Sequence, residues 1–82
     1  MARTTLRKTL RSHGHRKLIA VLTKARKAAG LTQRDLASRL KRPHSFVGRL
    51  EAGERRLDVV EFIEMARAVD ADPARLFAQL ID

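Results

Sequence analysis

Among the side chains of this chain that could bind a ligand or take part in a reaction, most are cationic. The sequence has 18 lysine and arginine residues against 9 aspartate and glutamate residues, for a formal net charge of +9. Residues 1–17 carry six basic and no acidic groups, residues 18–56 ten basic and three acidic, and residues 57–82 two basic and six acidic. This uneven distribution is typical of a polyanion binder with a separate face for solvent or a partner. Composition alone leaves nucleic acid and an anionic membrane surface as alternatives.

Other kinds of chemistry find little support in the sequence. There is no cysteine, which excludes disulfides, thiolate zinc sites and cysteine nucleophiles. His13, His15 and His44 are too few and too unevenly spaced for a metal site, so we expect no metal and no cofactor. No carboxylate pair on an apolar cleft, glycine-rich phosphate loop or serine in a His-Asp setting is apparent, so an enzyme is not expected. No apolar run fits a bilayer span or a signal peptide, which predicts a single cytoplasmic domain.

Apolar residues recur with helical spacing in five segments. They predict helices at 15–29, 33–40, 44–51, from Asp58 to about residue 69, and a short last helix that opens at Asp72-Pro73. The expected fold is therefore all-α, a five-helix bundle that occupies residues 14–82. Residues 1–13 are basic and lack a sustained period, which predicts a flexible basic arm.

The ends of these helices carry capping signals. Thr32 and Asp35 have the spacing of a capping box, and Asp58 can cap the fourth helix. In that helix an apolar stripe is predicted, formed by Val59, Phe62, Ile63, Ala66 and Val69. Phe62 and Phe77 are expected in the core.

The second and third helices are joined by only three residues, Lys41-Arg42-Pro43. So short a link favours a steep crossing over an antiparallel hairpin, which is helix-turn-helix geometry. Small Ala37 and branched Val47 fall where the two helices would meet. We therefore expect the helix-turn-helix at the centre of the bundle.

Several stretches of the chain resemble the phage-repressor (XRE/Cro-like) helix-turn-helix family. The stretch AGLTQRDLA at 29–37 resembles the family's entry into its second helix, and LEAGERR at 50–56 resembles the end of its recognition helix and the loop that follows. The match continues through MARAV at 65–69 and Asp72-Pro73 and covers about residues 16–78.

The resemblance implies DNA-binding roles for individual residues. It places His44, Ser45, Phe46 and Arg49 at positions that face the bases in the major groove, where arginine can bind guanine with two hydrogen bonds. Gln33 matches a glutamine that binds a backbone phosphate at a helix N-terminus. The remaining phosphate-binding candidates are Arg34, Lys41, Arg42, Arg55 and Arg56. Arg26 and Glu51 match an internal ion pair between the first and third helices.

Some assignments have a structural alternative. Phe46 replaces a residue that is often small and polar, so it either contacts a thymine methyl or packs on Gln33. Lys41 replaces the usual turn glycine, so it is left-handed or the turn differs. Gly48 inside the recognition helix is explained either by a close approach of DNA or by crowding against a neighbouring helix. For Arg34, a solvated helix face is favoured over a specific contact.

The resemblance implies a transcriptional regulator that binds double-stranded DNA in a sequence-specific way. Repression is the expected effect, and the expected location is the nucleoid in the cytoplasm. Basic arms of this kind can lie in the minor groove, which would use Arg3, Arg7, Lys8 and Arg11, although disorder with nonspecific attraction is the alternative.

A homodimer is expected through the C-terminal helices, with Leu76, Phe77, Leu80 and Ile81 at its interface. The alternative function is an antitoxin or adaptor module that binds a protein partner and regulates its own expression through DNA. RNA binding is disfavoured, because the chain has no Trp or Tyr on which bases could stack.

Overall fold

In the computed structural model, residues 12–81 are described, and the regular structure among them is entirely helical. The elements are α1 (His13–Ala28), α2 (Gln33–Leu40), α3 (Ser45–Glu51), α4 (Val59–Ala68) and α5 (Pro73–Ile81). The all-α, five-helix architecture predicted from the sequence is confirmed. Helix α1 contacts α3, α4 and α5, while α2 packs between α3 and α4.

The predicted capping residues start the helices because they satisfy free backbone N–H groups of the first turn. Thr32 accepts a hydrogen bond from the Asp35 N–H at 3.0 Å, and the Asp35 carboxylate accepts one from the Thr32 N–H at 2.9 Å. The hydrogen bond from the Thr32 N–H is the main cause that lowers the pKa of Asp35, and the Thr32 side chain adds to it. Asp58 accepts from the Glu61 N–H at 2.7 Å, so the predicted cap of α4 is confirmed as well.

Helix α1 begins earlier than expected. Ser12 is its N-cap and accepts a hydrogen bond from the His15 N–H at 3.1 Å, so His13 and Gly14 lie inside the first turn. Residue 13 therefore belongs to the helix and not to the arm, which is a correction of the predicted boundary. The hydroxyl of Ser12 was the available signal, since serine is a preferred N-cap residue.

The core lies where α1, α2, α3 and α4 meet. Its fully buried side chains include Leu36 of α2, Val47 and Leu50 of α3, and Met65 of α4. Ala37 is 1% exposed, at the crossing of α2 and α3, where a larger side chain would force the helices apart. The tight crossing predicted from the short link is thus formed by a small residue on one helix and a branched one on the other.

The turn between α2 and α3 uses the left-handed alternative. Lys41 has φ 56° and ψ 43°, and its N–H still bonds to the Ala37 and Ser38 carbonyls. A non-glycine residue in this conformation costs about 1 kcal/mol. The turn therefore has the left-handed conformation that a glycine would adopt there, although the residue is a lysine. The side chain of Lys41 is exposed.

The C-terminal half of the bundle departs from the predicted core. Phe77 is 50% exposed and meets buried Phe62 edge to face, with ring centroids 6.0 Å apart. Val59 is 72% exposed, although it belongs to the predicted stripe of α4. Leu76 is instead buried, at 6% exposure, so it is unavailable for the interface to which it was assigned. Helical periodicity marks an apolar face but does not say whether this chain or another one covers it.

Candidate nucleic-acid interface

Helix α3 has one face in the core and one face free. Val47 and Leu50 are fully buried, whereas Arg49 and Ser45 are exposed on the outer face. His44 is the N-cap residue of α3, with helical φ and ψ, and it is exposed too. The side chains of these three residues can therefore reach a ligand without any change in the fold.

Gln33 lies beside that face, in the first turn of α2. Its side chain is exposed, and its Nε2 donates a hydrogen bond to Glu51 Oε1 at 2.9 Å. Its Oε1 faces α3 at Gly48, where a Cβ atom would lie only 3.3 Å away. The amide of Gln33 is thus held across the surface of α3.

Glu51 is in turn held by Arg26 of α1. Arg26 donates from Nε to Glu51 Oε2 at 2.7 Å and from Nη2 to Oε1 at 2.9 Å, and both side chains are less than a tenth exposed. Arg26 also donates from Nη1 to the Leu31 carbonyl at 2.8 Å. The hydrogen bond with Glu51 raises the pKa of Arg26 above its usual value in spite of its burial. The pair fixes α3 to α1 and to the loop before α2.

The structure corrects the expectation for Phe46. Its side chain is only 7% exposed, so it packs inward and cannot lie on a thymine methyl. Two guanidinium groups cover its ring, that of Arg42 at 4.7 Å and that of Arg55 at 4.5 Å from the centroid. Such cation–π contacts stabilise the buried ring and restrain the two arginines.

Glu61 of α4 binds both of these arginines, a role that the sequence analysis missed. Its carboxylate accepts hydrogen bonds from Arg55 at 2.9 and 3.1 Å and from Arg42 at 3.2 Å. It also accepts one from the Asp58 N–H at 3.1 Å. The hydrogen bonds from Arg55 are the main cause that lowers the pKa of Glu61, against the effect of burial. The spacing of Asp58 and Glu61 is that of a capping box, which predicts the hydrogen bond from the Asp58 N–H but not the contacts with the two arginines.

Arg42 and Arg55 are therefore less free than their positions in the sequence suggested. Their side chains are 36% and 31% exposed, so each can still present an edge to a phosphate, but from a fixed position. Arg34, Lys41 and Arg56 are exposed, as phosphate contacts require. Arg3, Arg7, Lys8 and Arg11, assigned to the minor groove, lie outside the described residues.

Arg39 has a structural role that the sequence did not reveal. It donates to the Ala68 carbonyl at 2.7 Å and lies 3.6 Å from the Asp70 carboxylate. It thereby binds the C-terminal end of α4 from α2, across 29 residues of sequence. No pattern in the local sequence predicts such a long-range contact.

An apolar groove of about 130 Å³ lies between α1, α4 and α5. Its walls are formed largely by Leu18, Leu57, Val59, Phe77 and Leu80. Ile81 lies nearby in sequence on α5 and is 68% exposed. Exposed apolar side chains are thus gathered at the C-terminal side of the bundle.

Residues 12–81 carry neither a membrane-spanning helix nor a cluster of metal-binding side chains. No helix there is long and apolar enough to cross a bilayer. The histidines and carboxylates of this segment form no group of three or more that could hold a metal ion.

A small helical domain with a short two-helix crossing and an exposed arginine on its outer helix is of the helix-turn-helix class, and comparisons with known proteins agree. A family model described as a helix-turn-helix domain matches residues 18–78. The solved structure of an XRE-family like protein from Pseudomonas syringae pv. tomato str. DC3000 is 46% identical, with 89% of each chain covered and a TM-score of 0.81. The chain belongs to the XRE family of helix-turn-helix DNA-binding regulators.

More distant relatives share the same architecture. A mutant of the restriction-modification controller protein C.Esp1396I is 26% identical over 85% of this chain and 89% of its own, with a TM-score of 0.78. The wild-type form of that protein is 24% identical over 85% of this chain and 92% of its own, again with a TM-score of 0.78. The comparison with curated proteins gave no match.

Proposed function

We propose that the protein is a sequence-specific repressor of transcription that reads double-stranded DNA with α3 in the major groove. One observation carries the proposal. The outer face of α3 presents Arg49, Ser45 and His44 to solvent while its inner face is completely buried. A helix of this width fits the major groove, where donors and acceptors distinguish all four base pairs. Occupancy of an operator would exclude polymerase, and the place of action would be the nucleoid in the cytoplasm.

The phosphate contacts of the proposal come from two sources. Gln33 and the exposed Arg34, Lys41 and Arg56 border α3, while Arg42 and Arg55 are held in place by Phe46 and Glu61. Such contacts position a protein on DNA and make its affinity depend on salt, but they carry no sequence information. The N-terminal arm would add further phosphate or minor-groove contacts through its four basic residues.

Arg49→Ala tests base reading directly. Loss of the guanidinium should lower affinity for the preferred duplex by about 1–3 kcal/mol and relax the preference at one base pair. The duplex is obtained by selection from a random-sequence pool, and affinities are measured by fluorescence anisotropy on the selected site and on its single-base variants.

Arg34→Ala is the matched control, because it removes the same group from an exposed position that is assigned to phosphate. It should weaken binding to every duplex equally. An Arg49→Ala variant that behaves in the same way would show that Arg49 reads no base. A wild-type protein that binds no duplex at low salt would refute the proposed function itself.

We further propose that the apolar groove between α1, α4 and α5 is the homodimer interface. Phe77, Val59 and Ile81 are each at least half exposed, and burial of such side chains against a second copy would stabilise a dimer. A two-fold dimer would place two α3 helices over half-sites about one helical turn apart. Leu76 does not take part, because it is already buried in its own chain.

Ile81→Glu should convert a dimer into a monomer, since a charge at a two-fold interface meets its own copy. Sedimentation equilibrium measures the mass. Gln79→Glu is the control, with the same change of charge on an exposed position of α5 that borders a different groove, next to Lys17 and Lys24. A monomeric wild type would refute the dimer, and a stable complex with a different chain at this face would favour the adaptor function.

A further inference from the structure

The amide of Gln33 is oriented by α3 at both of its ends. Its Nε2 donates to Glu51 Oε1 at 2.9 Å, which leaves the second hydrogen of that nitrogen free. Its Oε1 lies against α3 at Gly48. An amide held in this way can offer an N–H to an anion without first losing rotational freedom.

Glu51 cannot easily move to follow a displaced Gln33. Both of its oxygens accept from Arg26, at 2.7 and 2.9 Å, and its side chain is 8% exposed. Arg26 also donates a hydrogen bond from Nη1 to the carbonyl of Leu31, which lies two residues before Gln33. The position of the amide is therefore set from the core, by Arg26 through Glu51.

Gly48 is the second element of this arrangement. Its backbone is not in the left-handed region, so the conformation of α3 does not require glycine there. Alanine would favour the helix, because glycine is a poor helix former. The nearest atom to a Cβ at this position would be Gln33 Oε1 at 3.3 Å, which is a crowded contact. A methyl group would push the amide away from α3, and the fixed carboxylate of Glu51 would not follow.

We propose that Gly48 and Glu51 are positioning residues for Gln33: Glu51 directs the amide nitrogen, and Gly48 leaves the space in which the amide lies, so that Gln33 binds a DNA phosphate. The inference rests on the proposed function, because it needs a duplex in contact with α3. It also bears on the two explanations of Gly48 left open by the sequence. Crowding against a neighbouring helix is favoured over a close approach of DNA.

Gly48→Ala should reduce affinity for the selected duplex by about three- to tenfold, the value of one hydrogen bond. Affinity is measured by fluorescence anisotropy on the full chain, at a temperature where circular dichroism shows every variant to be folded. Gln33→Ala should cause a loss of similar size. Both losses should be equal on the selected duplex and on a random duplex, because a phosphate contact carries no sequence information.

The double variant separates the mechanisms. In the Gln33→Ala background, Gly48→Ala should leave affinity unchanged, because the side chain that it displaces is gone. An equal loss in both backgrounds would overturn the inference and show that the methyl group meets DNA directly. A Gln33→Ala variant with wild-type affinity would also overturn it, while the proposed function would still stand on the affinity of the wild type.

Discussion

Arg26→Met is expected to destabilise the fold by about 3–5 kcal/mol, the usual cost when one partner of a buried ion pair is removed. The methionine fills similar space, so the loss comes from charge and hydrogen bonding. It leaves the Glu51 carboxylate, 8% exposed, without its two bonds from the guanidinium. It also leaves the Leu31 carbonyl without a donor. Urea denaturation at neutral pH measures the difference in free energy of unfolding.

A second substitution distinguishes charge from packing. Arg26→Met combined with Glu51→Leu should recover much of the loss, because apolar residues can replace a buried ion pair at little cost. Arg75→Met is the control on the surface, where Arg75 lies 3.9 Å from Asp72 and is 89% exposed, and it should change stability by less than about 0.5 kcal/mol. A single Arg26→Met variant as stable as this control would show that water reaches Glu51.

The helix-turn-helix could be predicted because its signals are local. Thr32 and Asp35 cap α2 through a spacing of three residues, and Ala37 is small where α2 and α3 cross. Both features depend on a few neighbouring residues, so the sequence shows them directly. For Lys41 the sequence left two alternatives, a left-handed conformation or a different turn, and the structure shows the left-handed conformation.

The surroundings of Phe46 could not be predicted, because they depend on contacts across three elements. Arg42 lies four residues before the ring, but Arg55 reaches the ring from the loop after α3. Glu61 of α4 binds both guanidinium groups that cover it. A phenylalanine among cations can be an exposed contact or a covered core residue, and the sequence pattern is the same for both. The exposure of Phe77 is a similar case, since its apolar stripe serves either this chain or a second one.

Glu61→Gln should destabilise the fold at neutral pH by about 2–3 kcal/mol, less than a fully buried pair because Arg42 and Arg55 are about a third exposed. The amide keeps some of the hydrogen bonds but loses the charge that holds two guanidinium groups over Phe46. Glu64→Gln is the matched control, since it makes the same change at an exposed position of α4. The control should stay within about 0.5 kcal/mol of the wild type.

The pH dependence tests whether the charge of Glu61 is the cause. Because its pKa is lower in the folded than in the unfolded chain, its stabilising effect is complete above the unfolded value of about 4.3 and is lost as the pH falls through the folded value. The difference in unfolding free energy between wild type and Glu61→Gln should be constant near neutral pH and shrink in acid. Asp35 is present in both proteins, so its own titration cancels. A difference that persists after Glu61 is protonated would assign the loss to the fit of the amide and not to the carboxylate charge.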